Sequence, residues 1–154
     1  MHEELTRVFP GARTAVFTLE ESEEKGRPFI NIDFQTKDGR WTPIRALADA
    51  GNDITLLSER DALKLGFTKN EGRPFRVAGI SGVPQQFFMV DTYIKVGRFD
   101  PTPIRMGFGP VRDNLLGRED IFPYFHIIYS PGHITFLEYT RHYNALYAQR
   151  TRFR

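Results

Sequence analysis

Apolar and polar positions alternate through PFINIDFQ, with Phe29, Ile30, Ile32 and Phe34 as the apolar set, and this predicts a strand with one buried face. The Asp-Gly pair in TKDGRW predicts a turn, and residues 41–48 return as the second arm of a hairpin. ITLL, residues 54–57, reads as another strand. Ser58 can cap a helix and Gly66 can end one, so SERDALKLGF predicts a short helix between them. Residues 75–96 hold two extended segments around GISGVP, the second continuing as DTYIKV. NLLGREDIFPYF predicts a strand end that passes into a short helical turn, and HITFLEY a late strand. Residues 20–27, EESEEKGR, form a charged turn or loop, and residues 138–154 form either a basic amphipathic helix or an irregular tail.

Thirteen glycines and ten prolines cut the chain into these short pieces, which is the punctuation of an all-β domain. At 154 residues and 40% hydrophobic content the chain can bury one core, so residues 1–154 are expected to form a single domain. The 21 Lys and Arg stand against 19 Asp and Glu, a net +2, which gives no support to a polyanion-binding surface. The absence of cysteine excludes disulfides, thiol nucleophiles and cysteine metal sites, and it fits a reducing compartment. MHEELTRVFPGARTAVF has early acidic residues and no apolar run of signal or membrane-spanning length, so a soluble, cytoplasmic protein is expected.

One carboxylate stands out against this background. RALADAGNDITLLSERDALKLGF, residues 45–67, sets Asp49 at the end of an apolar run. An isolated charge is costly to bury, so Asp49 needs either a partner or a use. A turn-capping aspartate ahead of a glycine is the plain structural reading. The wider pattern is Asp49-Ala50-Gly51, then Asn52, Asp53, Ile54-Thr55-Leu56-Leu57, a short helix and Gly66. It resembles the active-site segment of the retropepsin-like aspartic proteases, which runs apolar-apolar-Asp-Thr/Ser-Gly-Ala-Asp-apolar-Ser/Thr-apolar-apolar. RVAGISGVPQQFFMV, residues 76–90, resembles their glycine-rich flap hairpin. NLLGREDIF, residues 114–122, resembles their second signature, two apolar residues and Gly-Arg-Asp/Asn before a C-terminal helix. The three stretches occur in the family's order and spacing, over roughly residues 28–137.

The resemblance implies a retropepsin-like fold, a closed, barrel-like single lobe with one or two short helices. It also implies an aspartic endopeptidase. Two carboxylates held close together share one proton, so one acts as general base on a water and the other as general acid. This chain has one Asp-x-Gly of this kind, so the second aspartate would come from a second copy in a symmetric homodimer, with Asp49 of each chain meeting at the axis. Ala50, Gly51, Asn52 and Asp53 complete the active-site loop. Gly51 would allow a sharp turn beneath the carboxylates and offer its amide to Asp49. Asp53 matches the position that binds substrate backbone and pairs with the arginine of the second signature, Arg118, and a plain structural salt bridge is the favoured use for that pair. Thr55 and Gly117 are supporting positions. Gly79, Ile80, Ser81 and Gly82 would form the flap that closes over substrate, against the alternative of an ordinary glycine hairpin. Leu47, Ile54, Ile80 and Val83 either line apolar subsites or belong to the core. The implied partner is an extended polypeptide held by backbone hydrogen bonds. No cofactor or metal is implied, and neither nucleic acid nor membrane.

Ala50 departs from the pattern. The family carries Thr or Ser there, with a hydroxyl that braces the two loops across the dimer axis, and a methyl cannot do this. The loss leaves Asp49 in place but weakens the dimer or loosens the dyad, by about 0.5–1.5 kcal/mol for each hydrogen bond. An impaired module kept for peptide binding or dimerisation is therefore the competing reading. The other motifs do not extend to chemistry. His2, His126, His133 and His142 lack zinc-helix spacing, GISGV lacks the last glycine of a nucleophile elbow, and Gly107-Phe108-Gly109 lacks the third glycine of a dinucleotide fingerprint. A small β-barrel binding nucleic acid through Arg141, Arg150, Arg152 and Arg154 is a third reading, against a solvated tail.

Overall fold

A computed structural model describes residues 13–19, 27–79 and 82–138. Ile80, Ser81, the acidic stretch 20–26 and the tail from residue 139 onward lie outside the described residues, and with them the expectation for a helix or tail over 138–154. Among the described residues, ten strands and two short helices follow in order: β1 Thr14–Thr18, β2 Phe29–Gln35, β3 Trp41–Asp49, β4 Thr55–Ser58, α1 Glu59–Lys64, β5 Arg73–Ala78, β6 Pro84–Lys95, β7 Thr102–Gly109, β8 Leu115–Gly117, α2 Arg118–Ile121, β9 Phe125–Ser130 and β10 His133–Glu138. Seven strands make one sheet in the order β2-β3-β8-β4-β7-β6-β5, and β2 also pairs with β6, so the sheet closes on itself. The remaining three make a small sheet, β1-β10-β9.

The hairpin read from the first alternating segment is present in register, from Phe29 opposite Leu47 to Gln35 opposite Trp41. Ile32 and Phe34 face inward and are fully buried, while Asn31 faces solvent, as a period of two requires. ITLL forms a strand one residue later than expected, Thr55–Ser58. Ser58 caps α1: its Oγ accepts the Asp61 N–H at 3.2 Å, and Ala62 and Leu65 turn inward with no exposed surface.

Three strands lie where the local pattern predicts none: β1, β7 and β9. The small sheet is not a separate layer with its own interior. Phe136 of β10 meets Phe17 of β1 and Phe125 of β9 edge-on, at ring-centre distances of 5.5 and 5.8 Å, and Phe125 stacks on Phe99 at 5.4 Å. Phe34, Phe108 and Phe136 are buried in the same cluster, each worth about 1.5–3 kcal/mol of transfer free energy. This shared core fixes β9 and β10 against the end of the barrel where β3 terminates, since Tyr129 of β9 reaches the carbonyl of Ala48. No helix among the described residues is long and apolar enough to cross a membrane.

Candidate active site

Small apolar residues bring β3 into the middle of the sheet. Ala46, Leu47 and Ala48 are buried in succession, so both faces of the strand are covered as it approaches Asp49. Here β8 runs parallel beside it, with Leu47 opposite Leu115, Ala48 opposite Leu116 and Asp49 opposite Gly117. The strand ends at Asp49, whose side chain is partly exposed at the rim. Asn52 N–H donates to Asp49 O at 3.2 Å and closes a turn through Ala50 and Gly51. Gly51 N–H donates to Asp49 Oδ1 at 2.9 Å and so orients the carboxylate.

The reason for glycine at 51 differs from the one expected. Its φ is not positive, so left-handed freedom is not required. A Cβ there would lie 3.2 Å from Asp49 Oδ1, and it is this proximity that a side chain would disturb.

The second half of the site hooks onto the first. Gly117 N–H donates to the buried Thr55 Oγ1 at 3.0 Å, Arg118 N–H to Asn52 O at 2.9 Å, and Glu119 N–H to Asp53 O at 3.1 Å. The approach is so close that a Cβ on Gly117 would sit 2.2 Å from the Ile54 carbonyl carbon and 2.5 Å from Thr55 N. Arg118 pairs with Asp53 at 2.5 Å, and both side chains are about half exposed. A pair so placed contributes about 0–1 kcal/mol. Ala50 is exposed at the turn.

Of the flap, Gly79 and Gly82 are described. β5 and β6 pair antiparallel up to Ala78 opposite Pro84, and Gly82 N–H donates to Gly79 O at 2.9 Å, so these two glycines stand at the end of a hairpin. Leu47 is buried, Ile54 partly so, and Val83 is exposed; Ile80 and Ser81 lie outside the described residues.

Three residues that the motif comparison gave no role turn out to hold the site. Asn114 donates from Nδ2 to Arg45 O at 2.9 Å and to Asp61 Oδ2 at 2.7 Å, and its Oδ1 accepts Ser58 N–H at 2.8 Å. Burial pushes the Asp61 carboxyl up, but the bonds from Asn114 and Lys64 and the charges of Lys64 and Arg60 outweigh it, so the group sits below its ordinary range. Asp120 accepts the N–H groups of Thr55, at 3.3 Å, and Arg105, at 3.0 Å, and ties β4 to β7. Tyr129 donates its hydroxyl to Ala48 O at 3.1 Å; burial and then the Asp49 charge push its phenol up. The first two lay inside or beside a recognised motif, whereas Tyr129 carried no local signal.

Two clefts, of about 460 and 430 Å³, open elsewhere. The first lies beside α2, between Tyr93 and Tyr124, and the second between Phe67 and Met89; neither is lined by Asp49. No group of three or more His, Asp or Glu among the described residues is arranged to hold a metal ion.

A closed β-barrel with a parallel β3–β8 ladder, an Asp-x-Gly turn at its end and a Gly-Arg step beside it has the retropepsin-like fold. Among solved structures the chain is similar to a retropepsin-like aspartic protease from Rickettsia conorii, with a TM-score of 0.60 and 16% identity over 82% of this chain and 94% of that one. The likeness is one of fold. No protein-family model matches the chain, and no curated protein matches it in sequence.

Proposed function

We propose that the chain is an aspartic endopeptidase that works as a symmetric homodimer, with Asp49 of each copy forming the catalytic pair. The observation that carries this reading is the setting of Asp49: on a retropepsin-like fold, it ends a buried strand, is oriented by Gly51 N–H and remains partly exposed at the rim. In such a pair one carboxyl is protonated and the other ionised. The ionised one takes a proton from water as its oxygen adds to the scissile carbonyl carbon, and the protonated one donates to the carbonyl oxygen. Breakdown of the tetrahedral intermediate then breaks the C–N bond as a proton passes to the leaving nitrogen. Substrate would lie extended between the 79–82 hairpin tip and the Asp49 loop, with flanking apolar side chains preferred.

Cleavage of an unstructured protein from mildly acidic to neutral pH tests this. The wild-type chain is expected to cleave, Asp49→Asn to abolish turnover, and Ala50→Thr to raise it by restoring a hydroxyl to the loop. Specific activity should rise with protomer concentration, as a shared site demands. Cleavage that survives Asp49→Asn would refute the assignment. Peptide binding without turnover in all three would select the competing reading, a binding or dimerisation module.

A further inference from the structure

Backbone hydrogen bonds hold the loop that carries Asp49, some within it and some from Pro28, Arg118 and Glu119. Ala48 N–H donates to Pro28 O at 3.0 Å, Asn52 N–H to Asp49 O, and Gly51 N–H to Asp49 Oδ1. At position 50 the side chain is a methyl, which can donate nothing. One hydroxyl reaches the loop from outside: Tyr129, 81 residues further along, donates to Ala48 O at 3.1 Å. That oxygen belongs to the peptide unit joining Ala48 to Asp49. Peptide units are rigid planes, so a bond to this oxygen restrains the plane that carries the Asp49 N–Cα bond, and with it one of the rotations that aim the Asp49 side chain.

We propose that Tyr129 is a positioning residue for the Asp49 carboxylate, its hydroxyl bracing the Asp49 loop from the β9–β10 hairpin in a chain whose position 50 offers the loop no hydroxyl of its own. This rests on the reading of Asp49 as the catalytic group. A phenol is protonated, hence a donor, throughout mildly acidic and neutral pH, and burial and then the nearby Asp49 charge push this one up further. Tyr129 is 46% exposed and lies outside the core cluster, so removing its oxygen alone leaves the core packing in place.

The test compares wild type, Tyr129→Phe, Ala50→Thr, the double variant and Asp49→Asn in cleavage of a quenched, extended apolar peptide. Alongside it, wild type and Asp49→Asn are titrated by NMR with tyrosine labelled at Cζ, the Tyr129 signal being assigned by its loss in Tyr129→Phe. Loss of one hydrogen bond that only positions the nucleophilic site predicts a kcat about three- to tenfold lower in Tyr129→Phe with KM unchanged, and recovery in the double variant. The Tyr129 phenol should titrate lower in Asp49→Asn than in wild type. An unchanged kcat, a higher KM at constant kcat, or a lower kcat that Ala50→Thr leaves unrelieved would each overturn the proposal. Tyr129→Phe with full activity beside an inactive Asp49→Asn would sink this proposal and leave the protease reading standing. If none of the chains cleaves, the protease reading falls, and the phenol titration alone decides whether Tyr129 and Asp49 are coupled.

Discussion

Gly117→Ala probes the tightest surroundings of any glycine among the described residues. A Cβ at this position would lie 2.2 Å from the carbonyl carbon of Ile54, 2.5 Å from Thr55 N and 2.7 Å from Asp53 O. All three are backbone atoms, so no flexible side chain can swing aside. Ordinary contact requires β8 to withdraw by more than about 1 Å, and a withdrawal of that size stretches the bonds from Gly117, Arg118 and Glu119 N–H to Thr55 Oγ1, Asn52 O and Asp53 O. Three hydrogen bonds and the overpacking together predict a loss of roughly 3–6 kcal/mol. Urea unfolding followed by the fluorescence of Trp41, the single tryptophan, measures it, at a fixed protomer concentration so that association does not contribute. Gly79→Ala serves as the control: nothing lies within 4 Å of its Cβ and its φ is not positive, so it should move stability by less than about 1 kcal/mol. If Gly117→Ala also costs less than about 1 kcal/mol, β8 is not wedged against the Asp53–Thr55 backbone and the account of the site given above is wrong.

Two further outcomes follow from the Asn114 cluster. Asn114→Ala removes the side-chain partner of Ser58 N–H and Arg45 O and one of the partners of Asp61, and should lower stability by roughly 2–4 kcal/mol in thermal or urea unfolding; a loss under about 1 kcal/mol would show that the cluster is not coupled to the fold. Asp61 is held below its ordinary value of 3.8, so its contribution is complete above that pH and is lost as pH falls through the lower folded value. The stability difference between wild type and Asp61→Asn should therefore shrink below pH 3.8, and a difference that stays constant down to about pH 2 would contradict the assignment.

Local pattern was enough where alternation, turn residues and caps agree with one another. The β2–β3 and β5–β6 hairpins, α1 between Ser58 and Gly66, and the β8–α2 step all follow from alternation, turn residues and caps. β7 was not legible because Pro103, Gly107 and Gly109 read as turn residues. In the structure the two glycines are instead covered by the rings of Phe75 and Phe87, contacts that belong to other strands. β1 finds its partner more than a hundred residues away in β10, and β9 is defined by the core it shares with both sheets. At the site, the motif comparison led to Asp49, Gly51, Asp53, Thr55, Gly117 and Arg118, and the structure brings these together at the ends of β3 and β8. Asn114, Asp120 and Tyr129 act through hydrogen bonds to backbone atoms far away in sequence, and no spacing rule registers such bonds.

The hooks between the Asn52–Thr55 segment and Gly117–Glu119 join stretches 62 to 66 residues apart in sequence. Contacts of that span form late, because a long loop must close before they return any stabilisation. On the ribosome, which releases the chain from its N-terminus at about 5–20 residues per second, Asp49 emerges several seconds before its scaffold. A nascent chain that has reached only residue 113 already carries the whole Asp49 loop but none of the strand that holds it. The loop takes its shape only once residues 117–129 have been made, and until then the Asp49 turn lacks the strand and the hydroxyl that order it.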